Sequence, residues 1–172
     1  MNKRKLVKVI AILASMTTLA SIQSANSAVV TKLTTAQKAQ LQYLVEEEKL
    51  ARDVYQYLAT KVTTQKFSNI VKSEQTHMTA ISDLLKTYKI TNPTTGKAAG
   101  VFKDPKLQAL YKSLTKTGSA SVLAAYGVGV SIEKLDISDI QKMLKTAWPA
   151  DVKLALDKLL SGSQNHLAAF GG

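Results

Sequence analysis

Apolar residues recur at intervals of three and four along most of the chain after residue 34, the spacing of helices that hide one stripe, and strand-like alternation is nearly absent. The pattern predicts a first helix from about Thr34 to Val62 with Leu41, Leu44, Ala51, Tyr55 and Leu58 inward; Thr34-Thr35-Ala36-Gln37 has the form of a capping box. A second helix is expected from about Gln65 to Tyr88, with Phe67, Ile70, Val71, Met78, Ile81, Leu84 and Leu85 inward and Asn92-Pro93 beyond its end. Residues 91 to 103 hold Pro93, Gly96 and Gly100 and read as a loop. Asp104-Pro105 then starts a short helix that stops at Gly118. A third long helix is expected from about Ser119 to Leu144, with a kink or break near Gly127 to Gly129, and a fourth from about Ala150 to Ala169. Two helix pairs joined by a long crossover with a short extra helix describe an all-α, four-helix-bundle architecture.

Charged groups interrupt these apolar stripes, and they are the chemically informative positions. Glu48 lies between Leu44 and Ala51 on the first helix, whereas Glu46 falls on the outer side and Glu47 on a flank. On the second helix Glu74 and His77 sit between Ile70 and Ile81. On the third, Glu133 and Asp136 fall between Val122 and Tyr126 on one side and Ile137, Ile140 and Met143 on the other. On the fourth, His166 lies seven residues after Leu159 and four before Phe170, with Ser163 a turn earlier. Burying four carboxylates and two imidazoles without compensation costs several kcal/mol per ion. No lysine shares those faces, and Arg52 reaches only the flank. Oxygen ligands with a few imidazoles suit iron, manganese or zinc, and four carboxylates balance two divalent ions. A core with Glu from two helices and Glu-x-x-His from the others is the pattern of dinuclear carboxylate sites. Glu47, Asp53 and Asp139 read as solvated or supporting groups, and Tyr55 and Tyr126 as core tyrosines.

Composition narrows the rest. The 172 residues carry a formal charge of +11 and no cysteine, which excludes a disulfide scaffold and a thiolate metal site. Lys3, Arg4, Lys5 and Lys8 precede an uncharged stretch from Val9 to about Ile22, followed by small residues, so residues 1–28 read as a signal peptide and the chain as exported, periplasmic or secreted. Removing them takes away four positive charges and no acidic group, leaving 144 residues at +7. Arg52 is the only arginine left among scattered lysines, which argues against a nucleic-acid reader and leaves a weak attraction to an anionic cell envelope open.

Four stretches carry a resemblance to a known family. They are Glu46-Glu47-Glu48-Lys49-Leu50-Ala51-Arg52-Asp53-Val54-Tyr55, Asn69-Ile70 with Ser73-Glu74-Gln75-Thr76-His77, Ile132-Glu133-Lys134-Leu135-Asp136-Ile137, and Gly162-Ser163-Gln164-Asn165-His166-Leu167. The chain resembles the DUF2202 group of ferritin-like proteins. The resemblance implies one ferritin-like domain over residues 29–172, with Glu48, Glu74, His77 and Glu133 matching the superfamily's successive ligands and Ser163 standing where a bridging glutamate is expected. Asp136 then restores the carboxylate count from the neighbouring helix. It implies two iron ions, manganese or zinc being alternatives, with dioxygen or peroxide as substrate of an oxidase- or peroxidase-like reaction in a monomer or dimer. A single-metal storage or structural module without turnover, and a metal-free envelope-interaction protein, are the competing readings.

Overall fold

The computed structural model describes residues 32–172, and the segment read as a signal peptide lies outside them. The described residues form five helices and no strand: α1 (Thr35–Ala59), α2 (Gln65–Thr87), α3 (Pro105–Gly118), α4 (Val122–Met143) and α5 (Ala150–Phe170). None of them is long and apolar enough to cross a membrane. Each of the first four starts at a residue whose side chain accepts a backbone N–H, namely Thr34, Thr64, Asp104 and Ser121. The capping box at α1 is complete: the Gln37 N–H donates to Thr34 Oγ1 at 3.2 Å, and the Thr34 N–H donates to Gln37 Oε1 at 2.9 Å. Thr34→Ala is expected to cost about 1 kcal/mol, read as a lower chemical-denaturation midpoint; an unchanged midpoint would show that Gln37 alone holds the helix end.

The helices pair as α1 with α2 and α4 with α5, and the pairs meet through α2 with α5 and α1 with α4, while α3 packs on α1 and α4. Their apolar stripes make two separate clusters. One gathers Val54, Tyr55, Leu58, Phe67, Val128 and Phe170 near one end. The other gathers Leu41, Leu44, Ile81, Leu85, Ile140 and Leu156 near the opposite end. Burying such stripes at roughly 25 cal/mol per Å² is the main stabilising term. Between the clusters, on every one of the four long helices, lies a buried polar position.

Three details differ from the sequence-based expectation. The helix over α4 is continuous through Gly127 and Gly129. A methyl group at Gly129 would lie 2.6 Å from the Phe170 ring, so the glycine admits the end of α5 rather than breaking α4. The buried face of α4 is Ala125, Val128, Ile132 and Ile140, whereas Val122 is 39 % exposed and Tyr126 and Ile137 are only partly covered. Finally, Glu46, Glu47, Lys49 and Asp53 are all buried on α1. The loop of residues 91 to 104 accounts for three of them. Lys49 pairs with Asp53, donates to the Ala98 carbonyl at 2.8 Å and lies over the Phe102 ring. Asp53 accepts the Gly100 N–H at 2.8 Å, and Glu46 accepts the N–H groups of Lys103 and Asp104 at 2.5 and 3.2 Å. One face of α1 thus pins the crossover while another supplies Glu48 to the interior.

Candidate metal centre

The six residues singled out in the sequence meet in the polar layer. Glu48, Glu74 and Glu133 are each 1 % exposed, and His77, Asp136 and His166 are all under a tenth exposed. They meet because each lies on the buried stripe of its helix between the two apolar clusters, within two turns of apolar neighbours on both sides.

Glu74 is the hub. Its Oε2 lies 3.1 Å from His77 Nδ1, and its Oε1 lies 2.7 Å from His166 Nδ1. The two imidazoles stack with centroids 5.5 Å apart. Each also has a second carboxylate beside it: Glu48 Oε2 at 3.3 Å from His77 Nδ1, and Glu133 Oε1 at 3.6 Å from His166 Nδ1. The Tyr55 hydroxyl donates to Glu133 Oε1 at 2.6 Å, and the Ser163 hydroxyl donates to Asp136 Oδ2 at 2.5 Å. Ligand atoms 2.0 to 2.2 Å from one ion sit about 3 Å apart, so these spacings suit a shared cation. Glu74, His77 and His166 alone offer three ligand atoms within 4.8 Å of one another.

Four atoms here are buried without a hydrogen-bond partner: Glu48 Oε1, Glu74 Oε1, Asp136 Oδ1 and His166 Nδ1. Two of them, Glu74 Oε1 and His166 Nδ1, face each other at 2.7 Å and form an ion pair when the imidazole is protonated. An orphaned buried polar atom costs about 1 to 3 kcal/mol, and Glu48 Oε1 and Asp136 Oδ1, which have no ion-pair partner either, fit a site completed by a cation. Among the described residues no lysine or arginine pairs with the four carboxylates.

Without a cation the layer balances itself with protons. Burial, then Asp136 and Glu74, push Glu48 well above the usual carboxylate range. Burial, with Glu74 and Glu133 nearby, lifts Asp136 to about 7, and burial also raises Glu133 against the pull of His166 and Tyr55. Burial acts on Glu74 too, but the flanking imidazoles outweigh it and hold that carboxyl at about 2. Burial opposes charge on both histidines, yet their carboxylate neighbours raise His77 and bring His166 to about 9.

These directions set a pH dependence. Every group but Glu74 holds its proton more tightly folded than unfolded, so its stabilising contribution is complete at low pH and is lost as pH climbs through the folded value. Glu74 acts oppositely, but its contribution is lost only as pH falls toward about 2. The metal-free chain should therefore melt roughly 10 °C lower at about pH 9 than at about pH 5. A melting temperature that rises over that interval would contradict the proton-filled layer. Divalent ions should flatten the slope, since they replace the same protons.

Three supporting roles were not read from the sequence. Ser163, seen only as a missing carboxylate, positions Asp136. Tyr55, read as plain core, donates to Glu133. Gly162 lets the Nε2–Cε1 edge of His77 approach α5, where a methyl group would come within 2.4 Å of His77 Nε2. A glycine in the middle of a helix costs about 1 kcal/mol against alanine and was the available signal of a close approach.

The family described as "Uncharacterized protein domain (DUF2202)" matches residues 37–171. The chain is 46 % identical over 125 residues to the "Uncharacterized protein MJ0754" of Methanocaldococcus jannaschii, a match spanning 73 % of this chain and 68 % of that protein. The crystal structure of "hypothetical protein MJ0754" from the same organism is similar with a TM-score of 0.78 at 43 % identity, covering 80 % of this chain and 79 % of that one.

Proposed function

Since the chain belongs to the DUF2202 family, whose description assigns no activity, we propose from its own residues that it is a metal-binding protein with a ferritin-like four-helix arrangement and a dinuclear carboxylate centre. Glu74 carries this reading, because its two oxygens face two different imidazoles, as a bridging carboxylate must. Glu48 and His77 would complete one half, and Glu133 and His166 the other. Asp136, held by Ser163, presents its unpartnered Oδ1 as a further ligand. The mixed oxygen and imidazole set suits iron first, with manganese and zinc as competitors.

Two iron ions in such a site supply electrons for reducing dioxygen or peroxide. The chain's own part is to hold and insulate. The Tyr55 hydroxyl fixes Glu133, and the apolar clusters above and below keep bulk water out. Protons leaving the imidazoles on metal binding have an exit, because the two histidines keep 7 to 8 % of their surface open. The N-terminal segment supports export to the envelope or beyond.

Elemental analysis of the chain reconstituted anaerobically with ferrous iron is the test. The expected result is about two irons per chain and an absorbance change on admitting oxygen. A single redox-silent ion would overturn the dinuclear reading in favour of a storage or structural site. One observation favours that rival: Glu133 Oε1 is shared with Tyr55 and lies 3.6 Å from His166, so the second half is the poorer in free donors.

A further inference from the structure

We propose that Glu47 and Asp139 form a second, peripheral site for a divalent cation in the cleft between α1 and α4, from which ions pass to Asp136 and the central layer. The passing-on rests on the metal-centre reading above; the peripheral site stands on its own geometry.

The cleft has a volume of about 310 Å³, and Tyr43, Glu47, Asp139, Lys142 and Met143 line it. Glu47 is 6 % exposed, and its Oε1 is buried with no hydrogen-bond partner. Neither the crossover, which uses Glu46, Lys49 and Asp53, nor the central layer, which uses Glu48, gives Glu47 a partner. A buried carboxylate oxygen left in this way costs free energy that only a cation or a proton returns.

Asp139 supplies the second ligand. Its carboxylate lines the same cleft as that of Glu47, and its side chain is 25 % exposed, so it stands on the solvent side of the buried Glu47. Its present partner is Lys142 Nζ at 2.6 Å, on a side chain that is 65 % exposed and free to swing outward. Sequence spacing ties this pair to the centre. On α1, Glu47 faces the cleft while Glu48 faces the layer; on α4, Asp139 lies one turn beyond Asp136. The central ligands are each less than a tenth exposed, so an arriving ion must shed water on the way in. Carboxylate oxygens along the route replace that water, and negative potential in a narrow cleft raises the local cation concentration.

The test follows cobalt(II) uptake by the metal-free full chain in stopped flow, by the absorbance of the coordinated ion. Glu47→Gln and Asp139→Asn should each slow uptake about tenfold with the final occupancy of the central layer kept, and Lys142→Gln should speed it. Asp157→Asn, the same charge change on the remote exposed pair with Lys153, should load at the wild-type rate. In a His77→Ala/His166→Ala chain, manganese(II) should still broaden the Met143 methyl resonance, and adding Glu47→Gln should abolish the effect. Uptake by Glu47→Gln at the wild-type rate, or a Met143 signal indifferent to manganese, overturns the peripheral site. If instead Glu74→Gln takes up cobalt as the wild type does, the central reading fails, and with it the passing-on.

Discussion

Glu74→Gln is expected to empty both halves of the polar layer at once. Glutamine keeps the shape but removes the charge, and one of its two terminal atoms becomes an NH₂ group that cannot ligate. Because Oε2 faces His77 and Oε1 faces His166, no orientation of the amide serves both imidazoles. Metal content should drop from about two ions per chain to near zero, whereas Glu48→Gln or Glu133→Gln, each beside a single imidazole, should remove one. The metal-free variant should also be less stable by about 3 to 5 kcal/mol, since the ionised carboxylate between two protonated imidazoles is gone and their charges stay buried. Elemental analysis with thermal melting, and circular dichroism to show that the helices persist, reads both effects. Retention of one full equivalent of metal by Glu74→Gln combined with Glu47→Gln would mean that the two halves do not share this carboxylate.

Gly162→Ala should act in the direction opposite to helix propensity. In the interior of α5 alanine is favoured over glycine by about 1 kcal/mol, so a neutral site would be stabilised. Here the added methyl group would sit 2.4 Å from His77 Nε2 and 2.5 Å from Cε1, and the ring must tilt or α5 must move away. Overpacking of this kind costs about 1 to 3 kcal/mol. The tilt also takes Nδ1 out of reach of Glu74 and Glu48, so the affinity of the His77 half should fall by roughly a hundredfold or more. Calorimetric titration of the variant with one metal should show the weaker class of site beside a nearly unchanged one. A variant that is more stable than wild type and binds the full complement would show that the His77 ring is not wedged against this helix.

The residues of the polar layer are legible because they interrupt a single-sided stripe: Glu48 between Leu44 and Ala51, Glu74 and His77 between Ile70 and Ile81, and His166 between Leu159 and Phe170. Periodicity was less use on α4. From Val122 to Ile132 that helix is apolar or small on nearly every side, so a helical wheel does not choose between Val122 with Tyr126, the expected inward pair, and Ala125 with Val128, the observed one. Glu133 and Asp136 were still placed inward, because the second half of α4 alternates sharply between charged and apolar residues.

The charged run on α1 failed as a solvated face for a topological reason. Helices α2, α3 and α4 all pack on α1, and the crossover loop closes much of what they leave open. Over residues 44–51 the helix is covered from every direction and must bury charge wherever its sequence carries any, and the crossover groups that meet this charge come from 47 to 58 positions away. Local pattern holds no information on that distance. Lys49 and Asp53 neutralise each other, Glu46 collects backbone N–H groups, and Glu47 is left with a free oxygen, an ordering that only the assembled neighbours reveal.

A core cut across its middle by ionisable groups also bears on how the molecule comes apart. The two hydrophobic assemblies touch through a plane that repels itself as soon as its protons leave, so at alkaline pH each end can open without the other. An ion drawing ligands from all four long helices forms only when both ends are folded, and so fuses two loosely coupled units into one that unfolds in a single step. Native-state hydrogen exchange should then show two separate protection levels in the metal-free chain and one in the loaded chain, and equal protection at both ends before loading would mean that hydrophobic contact alone couples the halves.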